Sequence, residues 1–291
     1  MAVAVDYRPR VAAQSGDYFG VALVGVNSVV IGWDTAAQAL PPDHLGFAIR
    51  RTDFEAASGE LLRRDFLRGF KSFFGPGMEG QELRSDGAPF QRFRWNDYTL
   101  KPERSYCFEV FPVRGTPMNN RLEEPMVFNL RPSPPSIDGV GVYVNRGVTA
   151  ARAYFNKFGD TRPEDVPDGA ASRWLERGLL KSLLDFINTA EPGDELRVCI
   201  YEFYLSEIID ALQAAKQSGV TLKIVYHAKG GDHASEHNEE NIRDAGLVRA
   251  STARTKVGRL SHNKFIVHLV GGQPRRVWMG HVLRRAWRTH C

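Results

Sequence analysis

The stretch that best indicates the fold class is Ala211-Leu-Gln-Ala-Ala-Lys-Gln-Ser-Gly-Val-Thr-Leu-Lys-Ile-Val-Tyr226. Its first half continues an amphipathic helix that we predict from Glu207 to Gln217, with Ser206 as the N-cap and Gly219 just past the end. Its second half, Val220–Tyr226, is a mostly apolar run rich in β-branched residues, which is typical of a buried strand in a parallel sheet. A helix that leads into such a strand is the repeating unit of an α/β domain.

The same alternation of strands and helices extends to both sides of this stretch. The pattern predicts helices at Trp174–Ile187 and Glu236–Ala245, and strands at Leu196–Phe203, at Lys264–Val270 and from Arg276 onward. Glycine or Pro-Gly follows each helix, as expected at helix ends. The C-terminal half is therefore predicted to be an α/β domain.

The N-terminal residues follow a different pattern, with short alternating runs separated by turn residues. The clearest runs are Val21–Trp33, Leu45–Arg51 and Tyr106–Val113. Regularly spaced short strands with little helical periodicity predict a β-sandwich. Trp33, Gly46–Arg51 and the segment Tyr98–Tyr106 resemble a fibronectin type III module over residues 18–132, with Phe54–Gly87 as a long insertion. The resemblance implies a domain that binds or spaces, and we expect a structural role.

A proline-rich segment, Arg131-Pro-Ser-Pro-Pro-Ser136, separates these two patterns. Such a segment is stiff and extended, so it marks the best domain boundary. We predict a multidomain chain with a β-sandwich at 18–132, a linker at 133–139 and an α/β domain at 140–291 that is incomplete at its C-terminus.

Composition excludes several classes of protein. The chain has 291 residues, of which 43% are apolar and 25% charged, so it is neither disordered nor fibrous. No apolar run reaches the roughly 20 residues of a membrane helix, and the N-terminus lacks a signal-peptide pattern. The three cysteines are too few and too scattered for a disulfide framework or a zinc site, so we expect a cytoplasmic protein.

The charge is unevenly distributed along the chain. The net charge is +4, yet Asp244 is the last acidic residue, and ten Lys or Arg follow it. Residues 1–244 therefore sum to −6. The basic end favours an anionic partner such as a phosphate-bearing substrate, nucleic acid or anionic lipid, and a solvated basic face is the alternative.

The chemistry-bearing segment is Ser261-His-Asn-Lys-Phe-Ile-Val267. His262 and Lys264 are two residues apart at the start of a strand, so both side chains point to the same side. The cation can hold phosphate oxygens while the imidazole attacks phosphorus or transfers a proton. Taken alone the pair is a weak signal, because such pairs also arise by chance on surfaces.

The context of this pair resembles the phospholipase D superfamily from about Val140 to Gly280. The resemblance rests on Arg177-Gly178-Leu179, Ile200–Phe203, Ala211–Tyr226, the His262-x-Lys264 pair, and Val277-Trp-Met-Gly280. It implies that His262 is the nucleophile that forms a phosphohistidine and that Lys264 binds the phosphate. It also implies that no metal or other cofactor is required, and that a second His-x-Lys motif protonates the leaving oxygen.

Other residues are candidates for substrate binding around this pair. They are Asn263, Gly280, Glu202, Lys256 and Arg259. Glu202 lies at the end of a central predicted strand, where α/β sheets place their ligands, and could orient His262. His233 and His237 are four residues apart, but no cysteine or carboxylate set completes a metal site, so we expect a loop residue and a helix-start residue.

The sequence departs from the family pattern at two places. Leu269 stands where the family often has Asp, and Gly280 is not followed by the usual Ser and Asn. The arginine-rich tail after Gly280 loses the resemblance, so we expect a truncated or frame-altered version of a longer chain. The rival interpretation is a homodimer whose partner completes the site.

The substrate class remains open at this level. A phospholipase D-like phosphodiesterase is our leading hypothesis, a nuclease of the same superfamily acting on DNA or RNA is the alternative, and a non-catalytic module that binds phosphate or nucleic acid is the third.

Overall fold

The structure, a computed structural model, describes residues 7–69, 82–146, 152–256 and 262–280. The chain divides into two compact units, Met1–Val142 and Tyr143–Cys291. The molecule is rich in β-structure and contains several sheets with few helices. None of the described helices combines the length and the apolar character needed to cross a bilayer.

The first unit is built from strands. They are β1 (Arg10–Ser15), β2 (Tyr18–Val24), β3 (Val29–Thr35), β4 (His44–Glu55), β5 (Leu61–Phe66), β6 (Arg68–Gly69), β7 (Leu83–Arg84), β8 (Arg94–Asp97), β9 (Arg104–Thr116), β10 (Asn119–Leu122), β11 (Met126–Leu130), β12 (Ser136–Ile137) and β13 (Val140–Gly141). One sheet has the order β1-β2-β3-β8, and another has the order β10-β9-β4-β5, with β11 also paired to β9. β12 and β13 pair with each other, so the segment predicted as a linker contains a short strand.

Both larger sheets contribute to one hydrophobic core. Ile31 and Trp33 come from the first sheet, and Phe47 and Phe108 from the second. The alternation of buried and exposed residues along β3 and β11 places every second side chain in this core, as in a two-sheet sandwich. The hydroxyl of Tyr106 accepts a hydrogen bond from the backbone N–H of Lys101 at 2.7 Å, which closes the turn before β9 as in a tyrosine corner.

The second unit contains helices and a mixed sheet. Its elements are α1 (Arg152–Phe158), α2 (Ala170–Glu176), α3 (Leu179–Asn188), β14 (Glu195–Ile200), α4 (Ser206–Gln217), β15 (Thr221–His227), α5 (His233–Asp244), β16 (Ser251–Arg254), β17 (Phe265–Val270) and β18 (Gln273–Met279). The strand order is β16-β15-β14-β17-β18. β14, β15 and β16 are parallel, whereas β17 is antiparallel to both of its neighbours.

The helices cover one face of this sheet. Leu183 of α3, Leu212 of α4 and Ile242 of α5 share a core with alternate residues of β14 and β15. Lys223 and Val225 of β15 are exposed on the other face. The predicted parallel strand at 220–226 is confirmed as β15, but only one of its faces is buried. The sequence was misleading here because Val225 is apolar and yet exposed.

The helix predicted over Trp174–Ile187 is two helices. Arg177 and Gly178 both have positive φ, 52° and 84°, and separate α2 from α3. Glycine adopts this left-handed conformation at little cost, so Gly178 provides the break that periodicity alone did not show.

Two helix starts also differ from the prediction. Ser206 lies in the first turn of α4 rather than at its N-cap, which is Leu205. Helix α5 begins at His233, three residues before the predicted Glu236, because the side chain of Asp232 caps it by accepting from the N–H of Ser235 at 2.8 Å.

Candidate active site

One edge of the mixed sheet gathers most of the predicted site residues. The C-terminal ends of β14, β15, β16 and β18 meet there with the N-terminal end of β17. Glu202 follows β14, Lys264 immediately precedes β17, and Gly280 immediately follows β18. Ligands of open α/β sheets bind at such strand ends.

His262 and Lys264 contact the same aromatic ring. The centroid of the His262 imidazole lies 4.9 Å from that of Tyr201, and Lys264 Nζ lies 5.0 Å from the same Tyr201 centroid. His262 is exposed, whereas Lys264 is only 6% exposed. Lys264 Nζ donates to the backbone oxygen of His262 at 3.3 Å, so the cation is held directly behind the histidine.

The surroundings of Lys264 act on its charge in opposite directions. Burial lowers the pKa of Lys264 below its ordinary value of 10.5, and the negative charge of Glu202 acts to raise it. An ammonium group has three N–H donors. Within the described residues, Nζ makes the one hydrogen bond to His262, so two donors are left for an anion.

Gly280 is tied to this lysine through the backbone. Its N–H donates to the carbonyl of Lys264 at 3.0 Å. A Cβ at Gly280 would lie 2.4 Å from the indole of Trp278, which is far too close. A larger residue here would therefore require the indole of Trp278 to move, and the N–H of Gly280 ties the end of β18 to Lys264.

A buried asparagine at this edge was given no site role by the sequence analysis. Asn238 of α5 donates to the carbonyls of Tyr201 at 2.7 Å and His227 at 2.9 Å, and its side-chain oxygen accepts from the N–H of Phe203 at 2.7 Å. Asn238 thus joins the ends of β14 and β15 beneath the site. An asparagine on a polar helix carries no sequence signal for this role.

His227 is fully buried and its ring lies 5.0 Å from that of Tyr201. Its Nε2 is 3.2 Å from an Asp232 carboxylate oxygen. Burial acts to raise the pKa of Asp232, but hydrogen bonds from Ser235, His227 and Lys229 outweigh it and hold that pKa well below the usual range. The last residue of β15, buried His227, therefore pairs with the partly exposed Asp232 of the following loop and packs against Tyr201, which the sequence analysis did not foresee.

The remaining predicted residues lie around this edge or outside the described chain. Asn263 is exposed between His262 and Lys264. Lys256 is exposed two residues beyond β16. Arg259 lies outside the described residues, as does the tail after Gly280. The side-chain contacts described at this edge thus centre on His262, Lys264 and Tyr201.

Comparison with known proteins gives little further guidance. No family model matches the chain, and no curated protein matches it. Among solved structures, the phospholipase D family member Nuc from Salmonella typhimurium is 30% identical, over 32% of this chain and 57% of that protein, with a TM-score of 0.25. The chain thus spans less than two thirds of that relative.

Two other solved structures have similarly low scores. The third fibronectin III domain of a human protein is 14% identical over 40% of this chain and 80% of that domain, with a TM-score of 0.24. A polyphosphate kinase from Porphyromonas gingivalis is 10% identical over 82% of this chain and 44% of its own, with a TM-score of 0.25. These similarities are weak and decide neither fold nor function.

Proposed function

We propose that the second unit is half of a phospholipase D-like phosphodiesterase site. In this proposal, His262 attacks the phosphorus of a phosphodiester, the bond to the leaving alcohol breaks, and a phosphohistidine forms. The leaving oxygen takes a proton from a second histidine, and water then attacks the phosphohistidine to release the phosphomonoester and free His262. The supporting observation is that an exposed imidazole and a buried cation share the ring of Tyr201 at one sheet edge.

In this proposed reaction, Lys264 binds the phosphate group of the substrate. Lys264 is buried at this edge of the sheet, and among the described residues its Nζ makes one hydrogen bond, to the carbonyl of His262. Its other two N–H donors can bind the phosphate oxygens, which become more negative as His262 attacks. A cation already desolvated needs little reorganisation when the anion arrives. Glu202 keeps the lysine charged by its opposing charge.

The proposal requires a second His-x-Lys motif, which a second copy of this chain or a longer chain would supply. The triplet His227-Ala-Lys229 cannot serve as this second motif, because His227 is fully buried and lies against Asp232. The departures at Leu269 and after Gly280 also leave the isolated chain short of the family's full set of phosphate-binding groups. We therefore expect the reaction in a dimer rather than in a monomer.

The test is hydrolysis of bis-p-nitrophenyl phosphate by the full chain in EDTA. We expect turnover that His262→Ala lowers by at least about 1,000-fold, since a covalent nucleophile cannot be replaced by water at the same position. In a quenched reaction with labelled substrate, the acid-labile, base-stable label of a phosphohistidine should be absent from the variant. Sedimentation of the same samples measures how much dimer each contains, and we expect activity only in samples that contain dimer.

The alternatives give different results in the same assay. A non-catalytic phosphate-binding module would show no turnover in either protein. Loss of a robust activity on adding EDTA would contradict the metal-free reaction. Comparing phosphatidylcholine vesicles with single-stranded DNA as substrates then separates a phospholipase from a nuclease.

A further inference from the structure

Two histidines at the start of α5 bring their ring nitrogens together. His233 Nε2 and His237 Nε2 are 3.0 Å apart, and their ring centroids are 4.1 Å apart. The residues are four apart on a helix, so their side chains lie on one face. His233 is exposed and the side chain of His237 is 44% exposed, so solvent ions reach both.

The two nitrogens lie at hydrogen-bonding distance from each other. At 3.0 Å they cannot both carry a proton, so one lone pair faces the other nitrogen. With metal–nitrogen bonds of about 2.0–2.1 Å, this separation corresponds to an N–metal–N angle of about 91–97°. A tetrahedral angle would need the nitrogens about 3.3 Å apart. The spacing thus suits neighbouring positions of a square-planar or octahedral ion.

Neighbouring side chains hold the two rings in this arrangement. The ring of Tyr204 packs edge-on against His233 at 6.0 Å and His237 at 5.6 Å. A carboxylate oxygen of Glu240 lies 3.7 Å from His237 Nδ1, so this negative charge is on the side of the ring away from Nε2.

The local charge also permits a cation. A helix N-terminus repels cations through its dipole. The capping carboxylate of Asp232 and the carboxylates of Glu236 and Glu240 oppose that repulsion in the first two turns. No group of three or more His, Cys, Asp or Glu side chains able to hold a metal occurs in the described part of the chain. Water must therefore complete the coordination.

We propose that His233 and His237 form a bidentate site for a divalent transition metal of the Cu²⁺ or Ni²⁺ type, separate from His262 and Lys264. Imidazole ligands suit these ions, and Cu²⁺ binds most tightly of the divalent series. Both residues lie within α5, so the loop residue that we expected is a helix residue instead, and the metal site is proposed beyond that expectation.

The proposal is tested by titrating the full chain with NiCl₂ in a calorimeter. We expect the affinity of one site to fall at least tenfold in His233→Ala and in His237→Gln, because each leaves a single imidazole. His262→Ala, which removes an exposed histidine outside the pair, is the matched control and should keep this site. Circular dichroism of each variant establishes that α5 still forms.

Electron paramagnetic resonance provides a second readout. The Cu²⁺-loaded wild-type chain should show hyperfine coupling to two imidazole nitrogens, and His237→Gln should show one. An unchanged Ni²⁺ affinity in folded His233→Ala and His237→Gln would overturn the proposal. So would a Cu²⁺ spectrum with the same number of imidazole nitrogens in wild type and His237→Gln.

Discussion

At the scale of single residues, the burial of Lys264 creates a conflict. It destabilises the fold, but it suits the anion binding that we propose for this residue. A buried ammonium group loses hydration, and only strong partners compensate for that loss. Here the compensation comes from the ring of Tyr201, the carbonyl of His262 and the charge of Glu202. In the proposed function, this lysine binds an anion rather than stabilises the fold.

This conflict predicts opposite effects of Lys264→Met on activity and stability. Methionine has a similar volume and no charge to desolvate, so we expect the melting temperature to rise by about 1–3 °C. Hydrolysis should fall about 100-fold or more, because a donor to the developing negative charge is lost. Calorimetry and the bis-p-nitrophenyl phosphate assay measure the two effects.

The difference in stability between Lys264→Met and the wild type should decrease as the pH rises. Below the lowered pKa of folded Lys264, both the folded and unfolded chains carry the charge, and the full desolvation penalty destabilises the folded wild type. As the pH rises through that pKa toward the ordinary 10.5, the folded chain loses its proton first and the penalty falls. The advantage of Lys264→Met should therefore be largest at neutral pH and shrink in alkali.

A matched control for this variant is Lys181→Met. Lys181 is exposed on α3 and pairs with Asp185 at 2.6 Å, so its replacement should leave activity unchanged. A melting temperature for Lys264→Met that lies several degrees below wild type at neutral pH would contradict the desolvation argument.

At the scale of elements, α5 holds the site edge together. Asn238 accepts from Phe203 and donates to Tyr201 and His227, while Asn241 donates to the carbonyl of Phe203 at 2.6 Å. One helix thus satisfies the backbone groups where β14 and β15 end. Buried backbone groups without partners are strongly unfavourable, so the helix and the strand ends form together.

We therefore expect Asn238→Ala to lower the free energy of unfolding by about 2–4 kcal/mol, since three buried backbone groups lose their partner. Asn241→Ala, which removes one hydrogen bond from the same helix, should lower it by about 1 kcal/mol. Urea denaturation of both variants measures the difference. Equal effects of the two substitutions would argue against the bridging role of Asn238.

At the scale of the whole molecule, the two units have separate cores. The core of the first contains Trp33, Phe47 and Phe108, and that of the second contains Leu183, Leu212 and Ile242. A unit with its own core can fold alone. The residues proposed for catalysis all belong to the second unit.

We expect residues 1–142 expressed alone to unfold in one cooperative urea transition, followed by the fluorescence of Trp33 and Trp95, which both pack in the core of this unit. Tyr106→Phe in this fragment should lower the midpoint by the equivalent of about 1 kcal/mol without changing the urea dependence, because one hydrogen bond to Lys101 is lost. A gradual, non-cooperative loss of structure in the fragment would contradict an independent fold.

Much of the candidate site was visible in the sequence because it depends on local order. His262 and Lys264 are two residues apart at the start of an apolar run, and Glu202 lies at the end of a strand pattern. The sequence shows Tyr201 only as a residue near the end of a predicted strand. It does not show the contact of Tyr201 with His262, because the two residues are far apart in the chain. Asn238 was missed altogether, since its three partners lie at strand ends distant from it in sequence.

The sequence by itself determined the β-rich first half, the strand–helix alternation of the second and the position of the His-x-Lys pair, because periodicity and glycine placement act within a few residues. The tertiary structure alone decided which sheet face the helices cover, and that Lys264 is buried beneath His262. It also decided that Tyr204 aligns His233 with His237. Those features depend on contacts between elements distant in the chain, and on the desolvation that only close packing produces.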